Sequence, residues 1–162
     1  ARTAMEWMLG SLGGTAWSDL GLPAAVLVMG TGYLALSGRK LNALLVGDET
    51  AATLGVDVGR LRLRLFIVLS LLTGVMVAVS GAIGFVGLVI PHVVRMLVGT
   101  DHRRVLPVAA LLGGVFLIWV DVAARMSFAP IELPVGVITA LLGGPFFIWM
   151  LATQRWRSKD TA

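Results

Sequence analysis

One uncharged stretch, residues 65–94, constrains the fold more than any other feature of this sequence. It contains no Asp, Glu, Lys or Arg. A continuous helix over these residues would rise about 1.5 Å per residue and would be too long for a hydrocarbon core roughly 30 Å thick. The stretch must therefore contain a break, and it cannot be a single membrane-spanning helix.

The expected place for the break is residues 80–87, with the sequence SGAIGFVG. Glycine lowers helix stability by about 1 kcal/mol relative to alanine, and three glycines recur here at every third position: Gly81, Gly84 and Gly87. The spacing resembles a nucleotide-binding loop, but no basic residue follows it and its neighbours are apolar. We interpret it as close helix packing or a re-entrant turn, with Pro91 at the start or at a kink of a short following helix.

The composition places this chain in a lipid bilayer. Hydrophobic residues make up 57% and charged residues 14% of the sequence, and the mean hydropathy is +0.92. A soluble domain usually carries roughly a quarter charged residues. With no cysteine and only two histidines, the sequence predicts no disulfide framework and no metal site. It also lacks a phosphate-binding loop, a hydrolase nucleophile elbow and an H-E-x-x-H helix, so no enzymatic site or directly bound cofactor is predicted.

The basic residues are grouped by the apolar runs, which predict about five membrane spans: 22–36, 65–79, 83–98, 105–120 and 133–152. Eleven of the thirteen Lys and Arg residues lie in alternate flanks, namely Arg39, Lys40, Arg60, Arg62, Arg64, Arg95, Arg103, Arg104, Arg155, Arg157 and Lys159. The positive-inside rule assigns these flanks and the C-terminus to the cytoplasm. The net charge of +4 therefore reflects topology and does not indicate nucleic-acid binding.

Residues 41–64 form a polar island between two spans. Asp48 is expected to cap a short helix that ends near Gly55, a residue suited to the left-handed C-terminal position. Asp57 is expected to cap the next helix, with Val56 and Leu61 placed as a hydrophobic staple. Apolar side chains also lie among these charges: Leu44, Leu45, Val46, Leu54 and Val56. We interpret the island as a docking surface, the alternative being an ordinary solvated loop.

Three ionisable residues, His92, Asp121 and Glu132, lie in or near the apolar runs and are candidates for function by default. As a proton relay they would indicate a secondary transporter or an intramembrane enzyme, which is the alternative function. However, His92 follows a proline, and Asp121 lies four residues before Arg125 on the same helix face, where the charges can pair. A structural membrane subunit without transport is a further alternative, but it would leave the island unexplained.

Three segments resemble successive signatures of the FecCD-type permeases of type II ABC importers: LNALLVGDETAATLGVDVGRLR, GAIGFVGLVIPHVVRMLVGTDHRRVLP and ELPVGVITALLGGPFFIWML. The likeness covers nearly the whole chain, but only the C-terminal half of the ten-helix family subunit. Because the chain starts at Ala1 without a Met, we expect a piece of a longer protein. The fold class expected is an all-α polytopic helical membrane protein, one permease domain over residues 1–162 with a cytoplasmic coupling segment at 41–62.

The resemblance implies importer function for iron–siderophore, haem or cobalamin chelates, in the bacterial inner membrane. It implies ABC ATPase subunits that bind the ATP, an extracytoplasmic substrate-binding protein, and a second permease copy or paralogue. The residues implied in ATPase coupling are Gly47, Asp48, Glu49, Thr50, Ala51, Leu54, Gly55 and Val56. Arg125 is implied in binding-protein docking. Close helix packing is expected at Gly113, Gly114, Gly143 and Gly144, the last preceding Pro145.

Overall fold

The computed structural model describes residues 7–12, 16–126 and 133–159, with side chains described as far as residue 152. Within these ranges the chain folds into helices and no strand. The helices in order are α1 (Gly21–Leu36), α2 (Gly38–Val46), α3 (Asp48–Thr53), α4 (Val58–Ser80), α5 (Val86–Val98), α6 (His102–Met126) and α7 (Val135–Lys159). A 3₁₀ turn, Trp17–Leu20, leads directly into α1. The all-α fold class predicted from the sequence is confirmed.

Four helical segments are long and apolar enough to cross a membrane: Trp17–Leu36, Val58–Ser80, His102–Met126 and Val135–Ala152. The third of the five predicted spans, residues 83–98, is wrong in its extent, because only 13 residues, Val86–Val98, are helical. A helix of that length rises about 20 Å, which is less than a hydrocarbon core of roughly 30 Å. Helix α5 is thus a partial span whose missing length is irregular backbone.

The break in the long uncharged stretch lies where the glycines predicted it. Helix α4 ends at Ser80, and Gly81 has φ +70°, in the left-handed region that favours glycine. A Cβ at Gly81 would also collide with the carbonyl oxygen of Trp7, so close approach and backbone conformation both require glycine there. At Gly84 and Gly87 a Cβ would meet no atom within 4 Å, so close packing at those two positions is not found within the described residues.

Two residues near the start of α5, Phe85 and Pro91, differ from what the sequence predicts. Phe85 immediately precedes α5 with φ +65°, which is uncommon for a residue with a side chain. Pro91 lies inside α5, and not at its start as one reading of the sequence had it. The side chain of Phe85 fills the space beside Gly143 of α7, where a Cβ would overlap it. Packing against a bare glycine backbone therefore accompanies the unusual conformation of Phe85.

The helices pack around two small clusters of buried side chains. Ile90 and Val94 of α5 meet Val105 of α6, while Val120 and Ala124 of α6 meet Val135 of α7. Helix α1 packs on α4 and α6, and α7 contacts both α5 and α6. Most large apolar side chains on the outer faces remain exposed within the chain itself. A bilayer or neighbouring protein must cover them, since water would not.

Residues 7–12 close the end of the bundle where α4 stops and α7 starts. The indole Nε1 of Trp7 donates to the carbonyl of Ala78 at 3.2 Å, and the backbone N–H of Ser11 donates to the carbonyl of Ser80 at 3.0 Å. Gly136 of α7 donates its backbone N–H to the Gly10 carbonyl at 3.3 Å, and a Cβ on Gly136 would strike the carbonyl of Leu9. The segment is therefore fixed to both helices by two backbone hydrogen bonds and one from the Trp7 indole.

Candidate functional site

The candidate site is the pair of short helices α2 and α3, which lies at the opposite end of the bundle from residues 7–12. Gly47 joins the two helices with φ +121° and ψ +156°, a conformation that only glycine adopts without strain. At the end of α3, Gly55 has φ +80°. Its N–H donates to the Ala52 carbonyl at 3.0 Å, and the N–H of Val56 donates to the Ala51 carbonyl at 3.0 Å. This is the Schellman arrangement, so the left-handed position predicted for Gly55 is confirmed.

Helix α2 was not predicted from the sequence, because within the polar island helices were expected only from Asp48 onward. The ordered unit begins at Gly38, three residues before the predicted coupling segment 41–62. The run LNALLV carried a usable signal, since its apolar residues recur at helical spacing beside polar Asn42. Gly38 itself is buried against α6, where a Cβ would lie 2.9 Å from Cγ of Arg103.

The two predicted caps differ in outcome. Asp57 does cap α4: Oδ1 accepts the backbone N–H of Arg60 at 3.0 Å, and Oδ2 lies 3.1 Å from the Arg60 Nε. The cap predicted for Asp48 is wrong, because Gly47 occupies the N-cap of α3 and Asp48 is the first helical residue. Its carboxylate instead pairs with Arg62, whose Nη2 lies 2.9 Å from both oxygens. This exposed pair joins α3 to α4, with the small stabilisation usual for surface ion pairs.

A second link joins α2 to the loop between α5 and α6. Asn42 Nδ2 donates to Oδ1 of Asp101 at 2.6 Å, and Asn42 Oδ1 accepts the backbone N–H of His102 at 2.8 Å. The same carboxylate oxygen accepts the N–H of Arg103 at 2.9 Å, so Asp101 caps α6. The donated hydrogen bond from Asn42, then that from Arg103, lowers the pKa of Asp101 below its ordinary value of 3.8. We call these residues the Asn42–Asp101 clamp.

Sequence reasoning missed the clamp for a physical reason. Asn42 and Asp101 are 59 residues apart, and neither belongs to a local sequence motif that predicts contact with the other. The only signal in the sequence was Asp101 immediately before a helical run, which is an ordinary N-cap position. Nothing in one sequence indicates that the acceptor oxygen of that cap would also receive a side chain from another helix.

The surface of α2, α3 and the following turn is apolar at several points. Leu45, Val46 and Leu54 are 59%, 70% and 68% exposed, which is unusual for side chains that lie outside the candidate spans. Of the residues predicted to couple to an ATPase, Gly47, Asp48, Glu49, Thr50, Leu54 and Gly55 are exposed and Val56 is half-buried. Ala51 is 0% exposed, so its side chain cannot touch a partner, and we exclude it from the contact surface.

The predicted pairing at the other end of the bundle is present. Nε of Arg125 lies 2.9 Å from Oδ2 of Asp121, one turn earlier in α6. The proton relay is not assembled in the described residues. The ring of His92 lies edge-on to Phe146 at a centroid distance of 5.9 Å, and no hydrogen bond joins it to Asp121. Glu132, the third member, falls outside the described residues.

The glycines of α6 and α7 are used unequally. Gly143 is buried and meets the side chain of Phe85, so the predicted close packing is confirmed there. A Cβ on Gly113 would make only an ordinary contact with Ile90 at 3.8 Å. A Cβ on Gly114 or on Gly144 would meet no atom within 4 Å. Pro145 lies inside α7, which continues past it.

Comparison with known proteins gives this geometry a context. A model of the FecCD transport family matches residues 1–153. The hemin transport system permease protein HmuU of Yersinia pestis is 51% identical over 150 residues, covering 92% of this chain and 45% of HmuU. The cobalamin import system permease protein BtuC of Halobacterium salinarum is 49% identical over 138 residues, covering 85% of this chain and 37% of BtuC. The chain thus spans less than half the length of these relatives.

A solved structure shares the fold. It is described as an inward-facing conformation of a metal-chelate type ABC transporter, and it aligns with a TM-score of 0.86 at 35% identity over 94% of this chain and 49% of that one. Since the family model and the solved fold agree over nearly all of its residues, this multi-pass membrane chain belongs to the FecCD transport family.

Proposed function

We propose that this chain is the C-terminal part of a permease subunit in an ATP-driven importer of iron–siderophore, haem or cobalamin-type chelates. The names of its relatives, a hemin permease and a cobalamin permease, support this substrate class. Because the chain spans less than half of those relatives, the rest of the translocation path would come from further helices and from a second permease subunit. An extracytoplasmic binding protein would deliver the chelate.

The observation that carries the proposal is the compact pair of helices α2 and α3. Two glycines in conformations closed to other residues, Gly47 and Gly55, shape it, and Leu45, Val46 and Leu54 remain exposed on it. A freely solvated loop has no need for such apolar exposure, whereas a surface that enters the cleft of another protein does. We infer that a separate ATPase subunit receives α2 and α3, contacting Gly47 to Thr50 and Leu54 to Val56.

The contacts around this pair suggest how force would reach the membrane spans. The Asp48–Arg62 ion pair connects α3 to the start of α4. The Asn42–Asp101 clamp connects α2 to the start of α6. A displacement of α2 and α3 by the ATPase would therefore move two spans together. Closure of the ATPase on ATP would favour one of two arrangements of these spans, giving alternating access.

The distribution of basic residues supports an orientation in which α2 and α3 face the cytoplasm. Arg39, Lys40, Arg62, Arg64 and Arg103 all lie near the helix pair, and the positive-inside rule favours the cytoplasm for such an end. A cytoplasmic ATPase would then find α2 and α3 on its own side of the membrane. The pair Asp121–Arg125 would face outward, where Arg125 could meet acidic residues of the binding protein.

The test is Gly55→Val in the complete permease, reconstituted with its ATPase and binding protein. Valine at φ +80° is strained by roughly 1–3 kcal/mol, so the turn after α3 should change shape. We expect membrane insertion to persist while uptake per ATP hydrolysed falls by about tenfold or more.

The matched control is Gly59→Val, the same substitution in the first turn of α4. A Cβ at Gly59 makes only an ordinary contact of 3.7 Å with Asp57 Oδ1, and its φ is not positive. The control should keep the ratio of transport to hydrolysis within about twofold of wild type, since exposed helical substitutions usually change stability by less than about 0.5 kcal/mol. Normal coupling in Gly55→Val would refute the assigned role of this turn.

A further inference from the structure

A polar cavity lies beside the helix pair and shares Gly55 and Val56 with the edge of the proposed ATPase contact surface. It has a volume of about 220 Å³ and opens between the end of α1, helix α2 and the first turns of α4. Its other lining residues are Tyr33, Lys40, Asp57, Arg60, Leu61 and Arg64. Leu61 is only 6% exposed and gives the cavity an apolar wall.

The cavity is electropositive. Three basic side chains line it against one carboxylate, that of Asp57, which is already engaged by the backbone and Nε of Arg60. Lys40 and Arg64 form no ion pair with any residue that the structure describes. Arg62, between them on α4, turns instead to Asp48. Two cations thus converge on one cavity without a partner carboxylate, which is an arrangement that attracts an anion.

The position of the cavity along the helices indicates what kind of anion. Tyr33 lies in the last turn of α1 and Arg64 in the second turn of α4, so the cavity sits where two candidate spans leave the hydrocarbon. Tyrosine is typical of that depth. One turn further into the membrane, Ile67 lies on the same face of α4 as Arg60 and Arg64 and is 56% exposed. An anion bound here would have apolar surface directly beneath it.

We propose that this cavity binds the phosphate-bearing headgroup of an anionic membrane lipid, with Lys40 and Arg64 as the main charge partners and Tyr33 as a hydrogen-bond donor. The lipid phosphodiester would meet the bases, and its acyl chains would lie along the exposed face of α4. A free phosphate ion would use the same charges but would gain nothing from Ile67. A bound headgroup would fix the angle between α1, α2 and α4, next to the turn at Gly55.

The experiment uses the complete permease that contains this chain, and in that respect it rests on the proposed function. Binding is followed by native mass spectrometry during titration with phosphatidylglycerol or phosphatidylcholine of identical acyl chains. Lys40→Gln with Arg64→Gln removes both charges from the cavity. The control, Arg39→Gln with Arg104→Gln, removes two exposed bases near the same end that do not line it.

We expect the wild-type permease to prefer phosphatidylglycerol and the cavity double variant to bind it about 30-fold more weakly, since each surface base contributes about fivefold. The control should change binding by less than about twofold. Equal affinity for the two lipids, or equal losses in both double variants, would overturn the proposal. Full displacement of the lipid by inorganic phosphate would assign the cavity to a free anion instead.

One more outcome separates this proposal from a protein contact. If the assembled permease retains no phosphatidylglycerol at the cavity, the lipid site is refuted, and the same holds if another protein segment covers Lys40 and Arg64. Uptake measured in parallel keeps the two proposals distinct: normal transport with no lipid preference rejects only the lipid site. Because Gly55 also lines the cavity, Gly55→Val tests only the coupling role, and the lipid site is judged on Lys40→Gln with Arg64→Gln alone.

Discussion

Replacing Asn42 with alanine tests the link between the helix pair and α6. The side chain of Asn42 donates to Asp101 and accepts the backbone N–H of His102 at 2.8 Å, with Nδ1 of the His102 ring at 3.0 Å from the same oxygen. The first four N–H groups of a helix have no partner within the helix, and that of His102 is one of them. Alanine would leave it without this acceptor and would remove the strongest donor to Asp101.

The size of the effect follows from the two hydrogen bonds that Asn42 makes with Asp101 and with the backbone N–H of His102. A net hydrogen bond contributes about 1 kcal/mol, so losing both should destabilise the local structure by about 2 kcal/mol. If the start of α6 exchanges its amide protons by local opening, that difference corresponds to exchange about 30-fold faster. Water that enters the vacated space would reduce this figure.

The measurement is hydrogen–deuterium exchange of the complete permease in nanodiscs, read over α2 and the first turn of α6. Thr53→Ala is the control, because it also removes a side-chain hydrogen bond of the helix pair, that of Thr53 Oγ1 to the Thr50 carbonyl at 2.8 Å, but one internal to α3. Exchange in the first turn of α6 that stays within twofold of wild type in Asn42→Ala would show that the clamp does not hold these elements together.

The clamp also predicts a dependence on pH. The pKa of Asp101 is lowered in the folded chain, so the stabilisation from its carboxylate is fully present above the ordinary value of 3.8. It is lost as the pH falls through the lower folded value. Asn42→Ala removes the main cause of the lowering, and acid should then destabilise the α5–α6 loop less in the variant than in wild type.

Three other predictions concern the rest of the chain. Arg125→Glu should slow association of the binding protein at low salt, while Asp121→Asn, which keeps the cation, should not; association rates equal to wild type across ionic strengths would leave Arg125 with only a structural role. Gly143→Ala should lower the free energy of unfolding by about 1–3 kcal/mol, because the added methyl group would overlap Phe85. Gly144→Ala brings the same gain in helix propensity but has open space around it, and it should not lower stability. The midpoints of unfolding in denaturing detergent compare the two variants. A cysteine at Ser158 should react with an impermeant thiol reagent only from the cytoplasmic side of the membrane, and labelling from outside would reverse the topology.

The features that the sequence predicted correctly are those with a local physical cause. The break after Ser80 follows from helix length against bilayer thickness, and the left-handed turn at Gly55 follows from glycine beyond a short helical run. The Asp121–Arg125 pair follows from their spacing of four residues. Each of these depends on neighbours within one or two helical turns, so a single sequence contains the needed information.

The features that were missed depend on distant partners. Phe85 adopts a left-handed conformation beside Gly143, 58 positions further along the chain, and only the packed helices bring the two together. Asp48 looked like a cap because short acids before a helix usually are, but Gly47 could take the conformation that the joint requires. The start of α5 was missed with it, since Phe85 is the residue that immediately precedes this helix.

The attachment of residues 7–12 restricts which parts of the molecule can move separately. The last carbonyls of α4, those of Ala78 and Ser80, receive donors from Trp7 and Ser11, which precede them by about 70 residues in the chain. Pulling this segment away would break these hydrogen bonds and the one from Gly136 to Gly10, at a cost of about 1 kcal/mol for each bond. Opening and closing of this end would therefore carry residues 7–12, the end of α4 and the start of α7 as one body, so that any hinge lies further along these helices.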